Sequence, residues 1–66
     1  MDNEPVLKFF AFAHLPEHLR GVSANFHNLA TLIVEEIEPG PERTVALRKL
    51  LEAKDAAVRA TVHPGG

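Results

Sequence analysis

The chain has 66 residues, of which 45% are apolar, with no cysteine and a formal net charge of −2. That length allows one domain at most, and one this small buries only a modest share of its surface and is marginal alone. The missing cysteine rules out disulfide staples and thiolate metal sites. The balance is too weakly charged for general DNA binding, which normally shows a strongly basic face, and no apolar run approaches the ~20 residues that span a bilayer.

The charge is unevenly spread. Residues 1–41 hold six acids and two bases, and residues 42–66 hold five bases and three acids. This division suits a small anion or charge-complementary packing of identical chains. The N-terminus is acidic and lacks the long apolar run of a signal peptide, so a soluble protein of the cytoplasm is expected.

In chain order, residues 1–13, MDNEPVLKFFAFA, carry Pro5 and then an aromatic-rich run, which reads as an extended N-terminal arm. Alternation along such an arm puts Phe10 and Phe12 on one side and Phe9 on the other. Pro16 suits the first turn of a helix, where its missing N–H costs nothing. Gly21 and a possible new N-cap at Ser23 suggest a short helix near 16–21, a bend, and a main helix near 24–38, or one continuous kinked helix. Leu19, Val22, Phe26, Leu29, Ile33 and Ile37 form a stripe with near-heptad spacing, widened by Leu32 and Val34.

The segment EPGP, residues 38–41, is a stop-and-start signal: Pro39 ends one helix, Gly40 permits the turn and Pro41 opens the next. The second helix is expected over about 42–61, free of internal glycine and proline, and HPGG at 63–66 reads as a flexible tail. The expected fold is all-α: a helical hairpin over 14–62 with a kinked first helix, a Pro-Gly turn, a second helix and an extended arm. Two helices cannot enclose a core alone, so the hairpin is expected to assemble into a homo-oligomeric helical bundle.

HLPEH, residues 14–18, matches H-x-x-E-H, a zinc-peptidase signature in which both histidines project from one helical face. Pro16 lies between them and pushes the residues before it out of helical geometry. His14 should therefore end the arm, with Glu17 and His18 facing solvent, and no metal site is expected. His27, beside Phe26, reads as a partly exposed helix residue. Ser23, Thr31, Thr44 and Thr61 have no evident base partner, and the scattered glycines form no phosphate-cradling loop. No enzyme and no cofactor are expected.

Arg48 and Glu52 are four apart, as are Asp55 and Arg59, a spacing that supports an exposed helix by a few tenths of a kcal/mol per pair. Arg43, Arg48, Lys49, Lys54 and Arg59 nevertheless spread all around the second helix, so in an oligomer some must approach a neighbour. A guanidinium there meets a carboxylate or offers a fork to an anion. Phe9, Phe10 and Phe12, near Lys8, have faces suited to stacking on nucleobases, or alternatively to plugging a core.

The segments HLPEHLRGVSANFHNLA and PGPERTVALRKLLEAKDAAVRA resemble a group of short actinobacterial phage proteins. That close pattern covers roughly residues 9–60, and more distantly the chain is also similar to the helical hairpin domain of phage sponges that counter CBASS and Thoeris defence. That second likeness rests on the arm, kinked helix, Pro/Gly turn and second helix with Leu51-Glu52-Ala53. The resemblance implies a hexamer that binds cyclic di- or trinucleotides, or ADP-ribose-type signals, between subunits in the host cell cytoplasm without cleaving them. Pockets of that kind use an N-terminal aromatic, first-helix polar groups and basic residues. It implies Phe10 and Phe12 as stacking residues and Arg48, Lys49, Lys54 and Arg59 as phosphate contacts. Phenylalanine at 10 and 12, where relatives often have tyrosine, keeps the stacking face and loses the hydroxyl. The competing reading is a non-catalytic helical hairpin that binds a protein and no nucleotide; it gains if every arginine of helix two has a carboxylate partner in its own hairpin.

Overall fold

The computed structural model describes residues 5–65 and is all-helical there: a 3₁₀ helix (Pro5–Phe10), α1 (Glu17–Glu36) and α2 (Pro41–Val62). The two long helices form the expected hairpin, and the 3₁₀ helix packs against both of them. Among the described residues, no helix is long and apolar enough to cross a membrane.

The described part of the arm is not extended. Pro5 presets a helical φ, and the run after it winds with three residues per turn, so Leu7 and Phe10 share a side. Phe10 is wholly buried and forms the core with Ala30 of α1 and Leu47 of α2. Val6, Leu7, Phe26, Ile33, Val34, Leu50 and Leu51 pack around these three. Alternating geometry would have left Phe10 beside Phe12 on a free surface; burial of a large apolar ring, worth ~2–3 kcal/mol, favours the wound form. The chain then turns, with the Leu15 amide donating to the Phe12 carbonyl at 3.1 Å. The first four residues of the expected arm lie outside the described residues.

Pro16 occupies the N-cap of α1 with ψ 152°, and its carbonyl accepts from the Leu19 and Arg20 amides. α1 then runs unbroken through Gly21 to Glu36. The expected interruption at 21–23 is absent because Ser23 does not cap a new helix; it faces inward and is buried. A mid-helix glycine costs only ~1 kcal/mol, which packing of the rest of the face overrides. The expected apolar stripe divides: Leu19 is buried and Phe26 and Ile33 are partly buried, whereas Leu29 and Ile37 are exposed. The inner face instead includes Ser23 and Ala30.

Ile37 leaves the helix with extended backbone (φ −117°, ψ 131°), and Glu38 precedes Pro39. Pro41 then sits at the start of α2, one residue before Glu42 in the acid-favouring first turn. Arg43 reaches back from that turn. Its Nη1 donates to the Val34 carbonyl at 3.3 Å and the Ile37 carbonyl at 2.9 Å. The guanidinium, 3% exposed, thus satisfies carbonyls that α1 leaves unpaired and places positive charge at the negative end of the helix dipole.

Candidate functional site

Three surfaces carry the polar chemistry of the hairpin. The first is the outer face of α2. Arg48, Lys49 and Arg59 are exposed there. Arg48 and Arg59 are three turns apart on nearly the same side, roughly 16 Å at 1.5 Å per residue. The acids that sequence spacing offered them are engaged by lysines: Lys49 pairs with Glu52 at 3.8 Å, and Lys54 with Asp55 at 3.0 Å. Neither Arg48 nor Arg59 forms an ion pair among the described residues. Lys54 differs from the others, because its side chain is largely buried toward the hairpin. Within one chain, then, the four expected phosphate contacts do not converge.

The second surface lies where the chain enters α1. The Phe12 ring meets His27 edge-on, with centroids 5.2 Å apart and planes at 63°. On the same helix, His27 Nδ1 and Ser23 Oγ, four residues apart, are both buried with no hydrogen-bond partner among the described residues. Unsatisfied buried polar atoms cost free energy and call for an explanation. His27 is half-buried, as its sequence context suggested. Ser23 was not legible as a site residue, because its neighbour Gly21 made a cap the natural reading.

Phe10 is not part of either surface. The wound 3₁₀ helix turns it into the core, so the stacking role expected of it is not open in this conformation. Phe12 remains half-buried at a rim, and Phe9 is exposed with the Lys8 ammonium 5.2 Å from its ring centroid.

The third surface is a concavity of about 220 Å³ at the hairpin turn, lined by Val34, Ile37, Arg43 and three glutamates, Glu35, Glu36 and Glu38. Arg43 is committed to the α1 carbonyls, so an anion here would face three carboxylates. This hollow does not suit a phosphate.

His14 lies in the turn before α1 and His18 on its second residue, so Pro16 separates the two as expected. No group of three or more metal-ligating side chains forms among the described residues.

The fold and these surfaces define a small helical hairpin buttressed by a 3₁₀ helix, with the exposed guanidinium groups of Arg48 and Arg59 on one side of α2. No known protein family, curated protein or solved structure matches the chain.

Proposed function

We propose that this chain is a non-catalytic sponge that holds cyclic di- or trinucleotides between subunits of a homo-oligomer, expected to be a hexamer, and so silences CBASS-type signalling. The observation that carries the reading is the pair of exposed arginines, Arg48 and Arg59, whose carboxylate partners are taken by Lys49 and Lys54. Guanidinium forks without a carboxylate partner match phosphate geometry. The two project from points roughly 16 Å apart along α2, and in the proposed assembly a second copy supplies the rest of the pocket.

Two further features support assembly and binding. Among the described residues, six large apolar side chains are exposed, namely Phe9, Leu29, Leu32, Ile37, Val45 and Val62, and a chain of this size gains most of its missing burial from association. Phe12 packs edge-on against His27, whose buried Nδ1 lacks a partner among the described residues, as does Ser23 Oγ one turn earlier on α1. A base that stacks on Phe12 would gain these as hydrogen-bond partners once the ring shifts. The stacking role belongs to Phe12, with Phe10 holding the core behind it.

Native mass spectrometry with a panel of cyclic di- and trinucleotides tests the reading, since one spectrum reports both subunit count and bound ligand. The expected result is an even-numbered assembly that retains a ligand of unaltered mass. Arg59→Ala or Phe12→Ala should then reduce affinity by about tenfold or more, the loss of one charge-assisted contact or one stacked base, with the subunit count unchanged. An assembly that retains no member of the panel favours an ADP-ribose-type signal first, and then the protein-binding hairpin.

A further inference from the structure

We infer that the outer face of α1 is a self-association surface on which α1 of a second copy docks antiparallel. The inference adds to the proposed function the surface through which copies pair, and it rests on that reading only for the existence of an assembly. Along α1, His18, Asn25, Leu29, Leu32 and Glu36 are exposed and Val22 is partly so. At about 100° per residue these six lie within an arc of about 80°. Leu29 and Leu32 are 47% and 48% exposed, although both are leucines in the middle of a long helix.

The spacing along this face is 4, 3, 4, 3, 4, the seam of a two-helix coiled coil. It reads the same in both directions, and that property selects the partner. When a copy of α1 is laid against it antiparallel about a twofold axis near residue 27, each position meets another of the same six. Val22 faces Leu32, Asn25 faces Leu29, and His18 faces Glu36. Three of the four central positions, Val22, Leu29 and Leu32, are thus apolar, and Asn25 is the fourth. The imidazole of His18 meets a carboxylate at both ends, and neither group has an ion pair among the described residues. A parallel pairing instead sets Glu36 against Glu36 and His18 against His18, so no end of the seam joins an imidazole to a carboxylate. Such an isologous contact, the commonest kind in homo-oligomers, makes any closed assembly containing it even-numbered.

Because the chain has no cysteine, single introduced thiols report the register directly. Asn25→Cys and Leu29→Cys chains, one of them labelled with nitrogen-15, are unfolded together, refolded and mildly oxidised, and the linked peptides are identified by mass. The expected outcome is that links joining position 25 of one chain to position 29 of the other dominate. Dominance of 25-to-25 and 29-to-29 links, or linking no greater than that of a Val45→Cys control on α2, overturns the inference. As a second arm, Leu29→Glu/Leu32→Glu should keep its helical circular dichroism while its native mass falls by half or to the 7.2 kDa of one chain. An unchanged mass rejects the surface. If the cross-links fail while the oligomer still retains a cyclic nucleotide, the docking face is wrong and the sponge reading survives. If they form and no nucleotide binds, the reverse holds.

Discussion

At the turn end of the hairpin, Phe10, Ala30 and Leu47 are wholly buried and Arg43 ties the last carbonyls of α1 to the first turn of α2. At the open end, the inward positions are Leu19 and a serine whose hydroxyl has no partner, and Val62 ends α2 half in solvent. The same two helices supply both ends. What differs is the third element: the 3₁₀ helix covers the groove beside the turn and brings a phenylalanine with it. Two amphipathic helices leave a groove that neither can fill, and a single turn of chain laid across it converts a pair of stripes into a core. The half left with small and polar inward residues is where Phe12 meets His27 and where the unsatisfied atoms collect.

The contrast can be broken most directly at Phe10. Phe10→Ala should destabilise the chain by about 3–5 kcal/mol, against a total stability of about 3–10 kcal/mol for a domain of this size. Denaturant unfolding should show a largely unfolded or much weakened protein. If Phe10→Ala unfolds near the wild-type midpoint, the 3₁₀ helix is not what closes the core.

A smaller loss is expected at Arg43. Arg43→Met keeps the length of the side chain but removes a charged donor from two carbonyls, a loss of about 2–3 kcal/mol. Arg48→Met, on the exposed face of the same helix, should change stability by less than about 0.5 kcal/mol. Equal effects of the two substitutions in thermal melts would show that the Arg43 contacts contribute nothing to the turn end.

At the open end the expected change is smallest and opposite in sign. A Cβ at Gly21 would meet no atom within 4 Å, and its φ is not positive. Gly21→Ala should therefore stabilise the chain by about 0.5–1 kcal/mol through helix propensity and a less flexible unfolded state, a modest rise in melting temperature. A fall would mean that the glycine is needed for close approach by another copy.

The hairpin itself was legible because its signals are local. Pro16 marks the start of α1, Glu38 to Pro41 stop one helix and open the next, and Pro16 also separates His14 from His18 within the peptidase-like motif. The site was less legible. The pairs Arg48–Glu52 and Asp55–Arg59 were the natural choice by spacing, yet lysines take both acids, because a flexible ammonium reaches a carboxylate three residues or one residue away as readily as a guanidinium reaches four. Arg43 looked like one more base on a basic helix, and its distinctive position just after a Pro-Gly turn was the available signal of a cap for the preceding helix.

By itself the sequence determined where the first long helix starts, where the hairpin turns and where the second helix starts, since proline geometry and the turn residues act over a few residues. It also determined that no single chain could hide all of its apolar side chains. Only the tertiary structure decided which of two overlapping heptad-like stripes on α1 faces inward, and that the arm winds into a 3₁₀ helix. It alone made Phe10 core while Phe12 stays at a rim. Those outcomes depend on which surfaces meet across the hairpin, and burial is a property of the neighbour as much as of the residue.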